Sequence, residues 1–473
     1  MAEGKIAFRF TVRRAIDLES SNFFNRVLEL KTETAQSKLV MWCIIIGATF
    51  WYLNNNSLTY SKQVASLVES YDEDENGTID AVESSRLKPA LARLGLAAAC
   101  VLAYFLGTPR TWLDLRNPLS ILLLLFLGLN AASFFWSVNP SLTFRKFAVL
   151  FLVSVSAIGL CRRLTIRDLA IVLCFICATY ILFGLLVEFA LGTFRPWYKY
   201  YRFCGTGHPN QNSVIGALLC ISSMLLTPSG KKYTRLTIVM FLLGLLCVSL
   251  TKSRTSLGAL VFAFAIAIPI RSIFERHLNL LFGGLAVLFA GGFAVSAFGS
   301  RGWSQLANVA AMGRLKDIQD MTGRLPLWEE LISSISKRPL TGHGYMAYWD
   351  SKQITMLSEK FSWEIPHGHN AYLDVMLDTG IIGVTLYIMI FLTGLYLALR
   401  EFAKTRKNEY WFVVVLILFA FVHSFAESAF KETRLIGFAM TTVLWQLSQT
   451  VNFGFLRAQH YASGGLRQSK LLN

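Results

Sequence analysis

Positively charged and titratable side chains gather in one long polar segment, roughly residues 300–369, which separates two apolar parts of the chain. A guanidinium group stays charged at any working pH and binds phosphate oxygens through two hydrogen bonds, whereas an imidazole titrates near neutrality. Together these groups suit chemistry on an anionic substrate at a membrane surface. The candidate residues of this segment are Arg314, Arg324, His343, His367 and His369.

Apolar residues make up 54% of the chain, and apolar runs long enough to cross a bilayer recur along it. This pattern argues against a soluble protein and predicts an all-α polytopic membrane protein with about twelve transmembrane helices. We place them near residues 39–54, 90–107, 118–136, 144–160, 167–188, 212–226, 234–251, 256–271, 278–298, 371–398, 410–427 and 434–450. The first run is short, and an interfacial segment there would leave eleven helices.

The placement of lysine and arginine predicts the orientation of these helices, because cytoplasmic loops carry an excess of positive charge. The arm before the first helix is basic, alternate short loops are basic, and the C-terminal tail is basic. An even number of helices places all these segments on one side, which favours twelve. The net charge of +16 is therefore a topology signal, and we expect no nucleic-acid partner.

These helices divide the chain into seven predicted parts. They are a basic cytoplasmic arm (1–38), the first helix (39–54), an outer EF-hand-like segment (55–89), helices two to nine (90–298), a large outer loop (299–370), helices ten to twelve (371–450) and a cytoplasmic tail (451–473). The large outer loop contains the polar segment described above.

A second chemical motif is the acidic segment 72–83, DEDENGTIDAVE. It offers an oxygen ligand at each position that an EF-hand calcium loop uses, with Gly77 at the sharp turn. The predicted calcium ligands are Asp72, Asp74, Asn76, Thr78 through its carbonyl, Asp80 and Glu83. The alternative is an acidic, solvated hairpin without metal. An unpaired hand of this kind is expected to bind calcium weakly, with a Kd on the order of 10⁻⁴–10⁻³ M, in a structural or regulatory role.

The predicted topology brings further polar turns to the same outer side as the large loop. In order along the chain, these turns resemble the O-antigen ligase and Wzy-type polymerase family of bacterial envelope enzymes. The matching elements are Gly205-x-x-His208-Pro209-Asn210, Ser253-Arg254, Gly323-Arg324 followed by Trp328, Arg338-Pro339-Leu340-x-Gly342-x-Gly344, and His369-Asn370 followed by Gly380 and Gly383. The resemblance covers roughly residues 115–450. The EF-hand-like segment and the basic arm are not part of the family's pattern.

The resemblance implies a membrane glycosyltransferase that moves a glycan from a polyprenyl diphosphate carrier, such as undecaprenyl diphosphate, to an acceptor hydroxyl. We expect an inverting reaction without a catalytic cofactor or metal, on the periplasmic face of a bacterial inner membrane. The acceptor would be a lipid, a glycan or a protein, and the residues do not separate a ligase from a polymerase.

The resemblance also implies roles for single residues. Arg254 and Arg324 would stabilise the diphosphate leaving group, and His369 would accept or orient the acceptor's proton. The residues predicted to bind substrate are Arg202, Lys252, His208, His367 and Asn370.

Plainer interpretations of the same residues stay open. Arg324 can begin a loop helix, His369 can belong to a helix N-terminus, and His208 can mark a turn before Pro209. His343 and His367 are more typical of structural or substrate-edge residues. The sequence assigns no special function to Glu188 and Glu427, which lie near predicted helix ends.

Two other classes of protein remain as alternatives. A transporter or flippase of lipid-linked sugars would also need outward cations and many helices. Such a transporter is expected to show internal repeats or charged residues at mid-membrane depth, and the sequence has no convincing repeat. A calcium-responsive envelope scaffold would make the EF-hand-like segment central, but it leaves Arg254, Arg324 and His369 unexplained.

Overall fold

Apolar runs become helices throughout the part of the chain that the computed structural model describes, which is residues 115–161, 164–198, 201–226, 234–275, 324–363, 365–428 and 435–451. Within these ranges the regular structure is helical and contains no strand, which confirms the predicted all-α class there. The helices are α1 (Pro118–Ala132), α2 (Pro140–Cys161), α3 (Ile166–Ala190), α4 (Pro209–Ser223), α5 (Arg235–Leu250), α6 (Arg254–Glu275), α7 (Arg324–Lys337), α8 (Ser351–Phe361), α9 (Ala371–Thr405), α10 (Asn408–His423) and α11 (Leu435–Thr450). Short 3-10 turns extend α1 and α4, at Ser133–Trp136 and Met224–Leu226.

Five of the described helical segments are long and apolar enough to cross a membrane. They are Pro118–Trp136, Pro140–Cys161, Ile166–Ala190, Arg254–Glu275 and Ala371–Thr405. This finding is consistent with a helical membrane protein. The helices predicted at 39–54, 90–107 and 278–298, the EF-hand-like segment and Arg314 lie outside the described residues.

Local sequence explains where several helices begin. Thr165 and Asp168 form a capping box at the start of α3, and Asn370 accepts hydrogen bonds from two main-chain N–H groups at the start of α9. The end of α10 differs from the prediction, because the helix stops at His423 instead of continuing to residue 427. Residues 424–427 form a turn instead. This turn gives Glu427 a position that a continuous helix would not provide.

Contacts between helix ends define two opposite ends of the bundle, because the start of α4 meets the end of α10 at one end, whereas the end of α6 meets the start of α10 at the other. The end that carries residues 324–370 is called the loop face below. At the other end, Arg271 contacts Glu275 at 2.8 Å and Asn408 at 2.9 Å, close to the basic residues Lys404 and Lys407. Positive charge accumulates at that end, and its assignment to the cytoplasmic side stays a prediction.

Close packing of small residues holds the bundle together. A side chain on Gly216 of α4 would meet the Gly244 carbonyl of α5 at 2.8 Å, so these helices touch through their backbones. Helix α10 lies in the centre of the core, and its residues from Trp411 to Ile417 are all buried. Glycine and buried aliphatic residues therefore set the spacing of the helices that carry the site.

The described part of the large outer loop packs as a small unit against α9. Helices α7 and α8 enclose an apolar cluster of their own, which also includes Leu377 of α9. Helix α9 is broken at Gly380, whose φ of 67° and ψ of −161° suit glycine alone. The break frees main-chain carbonyl groups, which accept hydrogen bonds from the loop. The Leu377 carbonyl accepts one from the His343 N–H at 2.7 Å, and the Asp378 carbonyl accepts one from the Gly344 N–H at 2.9 Å. The segment Arg338–Gly344 is thus a structural joint between the loop and the membrane helix.

Candidate active site

The carboxylate of Glu427 is the centre of a polar cluster on the loop face. Arg324 donates from Nη2 to Glu427 Oε1 at 2.9 Å, and Asn210 donates from Nδ2 to the same oxygen at 3.1 Å. His369 Nδ1 lies 3.4 Å from the other oxygen, Oε2. Glu427 is 4% exposed, so this carboxylate is almost removed from solvent. The structure therefore brings Arg324 and His369, two of the predicted catalytic residues, to one buried anion.

Three separate elements deliver these groups. Arg324 is the first residue of α7, and its Nη1 also donates to the Ala426 carbonyl. Glu427 lies in the turn after α10, and His369 directly precedes the N-cap of α9. His369 has a left-handed backbone, with φ of 49°, which turns its ring toward the Glu427 turn. A non-glycine residue in the left-handed backbone conformation is strained, and such residues are often found at functional sites.

The environment keeps Glu427 ionised. Burial raises the pKa of this carboxyl, but the hydrogen bond from His369 and the charges of His369, Arg324 and His423 outweigh it and lower the pKa to about 2. An ionised Glu427 favours the tautomer of His369 in which Nδ1 carries the hydrogen. The opposite nitrogen, Nε2, is buried and has no hydrogen-bond partner among the described residues. That nitrogen is thus placed to accept a proton from a group that enters the site.

A second buried carboxylate, Asp374, holds residues 367–369, called the histidine loop below, in place. Its Oδ1 accepts hydrogen bonds from the Gly368 N–H at 3.0 Å and from Trp349 Nε1 at 3.0 Å, and its Oδ2 accepts one from Ser428 Oγ. Asp374 therefore links the histidine loop to the turn that carries Glu427. Behind it lies a mainly apolar cavity of about 130 Å³ between α1, α2, α9 and α11.

The predicted residues of the earlier outer turns lie around the same cluster. Arg202 donates to Asn210 Oδ1 at 2.8 Å and to the Thr251 carbonyl at 2.9 Å, so it connects the 201–210 segment to the α5–α6 turn. Arg254 is the first residue of α6. Two residues further along the same helix, Ser256 Oγ lies 3.2 Å from His423 Nε2. The turn that bears Arg254 is therefore fixed to the end of α10, next to the Glu427 turn.

The carboxylate of Glu188 supports this arrangement from α3. It accepts hydrogen bonds from the main-chain N–H groups of Cys204 and Gly205, each at 2.8 Å, and from the Tyr201 hydroxyl at 2.5 Å. Gly205, with φ of 51°, also lies against Gly184 of α3. These contacts give the glycine of the 205–210 motif a clear physical role, which is to bring Asn210 to the cluster.

The remaining predicted site residues have contacts of a different kind. His208 is exposed and caps α4, since its Nδ1 accepts the Asn210 N–H at 3.2 Å, and the Asn370 side chain caps α9. His343 lies 3.1 Å from the Ser334 carbonyl, and burial lowers its pKa. Lys252 Nζ contacts the Tyr198 carbonyl at 3.4 Å. The contacts of these residues are helix caps and hydrogen bonds to main-chain carbonyls, which are structural. Their predicted roles in substrate binding stay predictions.

The sequence-based interpretation assigned no site role to Glu427, Asn210 or Asp374, although Asn210 belongs to one of the motifs that carry the resemblance. It gave Glu427 no special function, because a glutamate near a helix end is common on surfaces. Its partner Arg324 lies 103 positions earlier in the chain, which leaves no local signal. The available clue was topological, since the predicted connection after residue 427 lies on the same side as His369.

One group of side chains in the site has the composition of a metal centre. One donor atom each from His367, His369 and Glu427 lie within 4.8 Å of one another. The rings of His367 and His369 are adjacent, with centroids 4.1 Å apart.

The fold and the site define a helical membrane protein with a buried arginine–glutamate–histidine cluster at one end of its bundle. Comparison with known proteins finds similarity to one family model and to one characterised protein. Residues 239–388 match the Wzy_C family model, described as O-Antigen ligase. The chain is also 26% identical over 355 residues to the Exopolysaccharide production protein ExoQ of Rhizobium meliloti (strain 1021), an alignment that covers 71% of this chain and 79% of that protein. Both matches support the resemblance to the O-antigen ligase and Wzy-type family that the sequence motifs predicted.

Proposed function

We propose that this protein transfers a glycan from a polyprenyl diphosphate carrier to an acceptor hydroxyl, with inversion at the anomeric carbon. One observation carries the proposal. Nε2 of His369 is buried and has no hydrogen-bond partner among the described residues, while Nδ1 of the same ring faces the ionised Glu427. The match of residues 239–388 to the O-Antigen ligase family model supports the reaction class. The name of the relative, an exopolysaccharide production protein, supports an envelope polysaccharide as the product.

In the proposed reaction the acceptor oxygen attacks the anomeric carbon, and the bond from that carbon to the diphosphate oxygen breaks. The acceptor's proton passes to His369 Nε2, and the bonding electron pair leaves with the diphosphate. Glu427 stabilises the imidazolium that forms, as a buried carboxylate does in a catalytic triad. No metal is needed in this scheme.

Negative charge grows on the leaving diphosphate, and arginine is suited to stabilise it. We assign this role to Arg254 and Arg324, with Arg202 and Lys252 as further cationic groups. Arg324 contacts Glu427 and the Ala426 carbonyl in this structure, so its binding of phosphate would be shared with these contacts. The apolar cavity behind Asp374 suits part of the carrier's hydrocarbon chain. The active side is expected to be periplasmic, in a bacterial inner membrane.

The test is glycan transfer by the full chain in proteoliposomes that contain a lipid diphosphate-linked glycan. We expect His369→Ala, Arg324→Ala and Arg254→Ala to abolish the long glycan product while the amount of folded protein is unchanged. A matched control is Lys360→Ala, which removes an exposed ion pair of the same loop, 2.7 Å from Glu330. Normal product from all three site variants would refute the catalytic assignment.

Ligase and polymerase activities are distinguished by what accumulates when the protein is deleted from its host. A polymerase joins repeat units, so its loss should leave single repeat units on the carrier. A ligase attaches a finished glycan to lipid or protein, so its loss should leave a full-length polymer on the carrier.

A further inference from the structure

The cluster of His367, His369 and Glu427 has a donor set that proteins commonly use for zinc, two imidazoles and one carboxylate. All three residues are mostly shielded from solvent, since His367 and Glu427 are each 4% exposed. Three protein ligands with a remaining open position are the usual composition of a zinc site that meets small molecules.

The distance between donor atoms fits an ion of this size. Zinc bonds of 2.0–2.1 Å in tetrahedral geometry place neighbouring donor atoms about 3.4 Å apart. His369 Nδ1 and Glu427 Oε2 are 3.4 Å apart, which is long for a hydrogen bond but suited to two ligands of one ion. His367 Nδ1 accepts the His369 N–H at 3.1 Å, and a metal ion bound at Nδ1 would replace this hydrogen bond.

Surrounding groups already orient the carboxylate for such a role. Arg324 and Asn210 both donate to Glu427 Oε1, so they fix the carboxylate while Oε2 points toward His369. Ligating carboxylates are usually held by outer hydrogen bonds in this way. The positive charge of Arg324 opposes a cation nearby, but its hydrogen bond goes to Oε1, which leaves Oε2 available to the ion.

We propose that His367, His369 and Glu427 bind a divalent transition-metal ion of the zinc class, and that this ion inhibits glycan transfer. The inhibition rests on the proposed function above. A metal on His369 Nδ1 takes the lone pair of that nitrogen, so the ring's hydrogen resides on Nε2. Nε2 can then no longer accept a proton from the acceptor hydroxyl. The ion would also break the contact between His369 and Glu427.

The direct experiment is calorimetric titration of zinc chloride into the full chain, purified without a histidine tag and treated first with a chelator. We expect one bound ion per chain, with at least tenfold weaker binding in His367→Gln and in Glu427→Gln. Cobalt chloride serves as a spectroscopic probe, because tetrahedral cobalt gives strong visible absorption that an octahedral surface ion lacks. His208→Gln is the control, since it removes an exposed imidazole from outside the cluster.

Glycan transfer by the same samples tests the inhibition, with every rate compared with that of the same variant without zinc. Zinc should suppress wild-type transfer and should act at least tenfold less strongly on His367→Gln, and a chelator should restore the rate. Absence of the one-ion binding, or equal binding by His367→Gln and wild type, would overturn the metal site. Full transfer with the ion bound would overturn the inhibition. A chain that binds zinc but never transfers glycan would refute the proposed function while leaving the metal site supported.

Discussion

Replacement of Glu427 by glutamine tests whether this carboxylate orients His369, the proposed catalytic base. The amide oxygen can keep the contacts to Arg324 and Asn210, but its NH₂ group then faces His369 Nδ1. Since an NH₂ group donates, Nδ1 must accept, and the ring hydrogen moves to Nε2. A histidine in this tautomer cannot remove a proton from the acceptor, although its position is almost unchanged.

The expected size of the effect follows from the role assigned to the base. Loss of general base catalysis lowers rates by about 10²–10⁴-fold, which corresponds to about 3–5 kcal/mol. The effect on stability comes from the carboxyl pKa, which lies at about 2 in place of 4.5. That difference corresponds to about 3 kcal/mol of preference for the ionised form.

The dependence on pH gives a second measurement. Because the folded-state pKa of Glu427 is depressed, its contribution to stability is fully present above about pH 4.5 and is lost as the pH falls toward 2. Unfolding of Glu427→Gln should therefore differ most from wild type near pH 7, and the difference should shrink near pH 3.

The assay is transfer in proteoliposomes, with folding followed by fluorescence-detected gel filtration. Glu330→Gln is the matched control, because Glu330 forms an exposed ion pair with Lys360 on the same loop. If Glu427→Gln fails to fold, Glu427→Asp keeps the charge and should retain intermediate activity. Wild-type transfer by folded Glu427→Gln would refute the orienting role.

Three further predictions concern the groups around this centre. Asp374→Ala removes the hydrogen-bond acceptor for Gly368 and Trp349 and should lower the transfer rate at least tenfold. Asp374→Asn keeps an amide oxygen for both donors and should recover part of the lost rate. Equal rates in the two variants would contradict a positioning role. Gly380→Ala should lower stability by about 1–3 kcal/mol or more, measured as Tm, because its φ is 67° and an added Cβ would clash with the Leu340 carbonyl; Gly258→Ala, with open space around it, should be neutral or slightly stabilising. Calcium titrated calorimetrically into the full chain should bind with a Kd on the order of 10⁻⁴–10⁻³ M and should show no such heat with Glu83→Gln; absence of heat from the unchanged chain at millimolar calcium would reject the EF-hand.

Hydropathy predicted the apolar helices of the described region well, because a bilayer span imposes a length and a composition that can be counted. It gave no bounds for α7 and α8, which lie within the predicted outer loop. The alternation of directions then placed Arg202, Arg254, Arg324 and His369 at one end. The contacts of Arg324 and His369 with Glu427 were beyond such reasoning. Where α10 ends decides the position of Glu427, and helix ends are set by turn geometry and by distant partners such as Arg324. Local sequence was informative at His208. A turn before Pro209 was one of the two interpretations left open there, and in the structure the His208 side chain caps α4.

The break of α9 at Gly380 also decides which part of that helix the bilayer has to accommodate. Residues 381–405 extend about 37 Å at 1.5 Å per residue, which exceeds the roughly 30 Å of hydrocarbon. The nine residues before the break are therefore not needed for crossing. They extend about 13 Å beyond the break, on the side where α7 and α8 pack against α9. Asp374 and Asp378 can thus reside in an apolar-looking helix without the large penalty of a carboxylate in hydrocarbon.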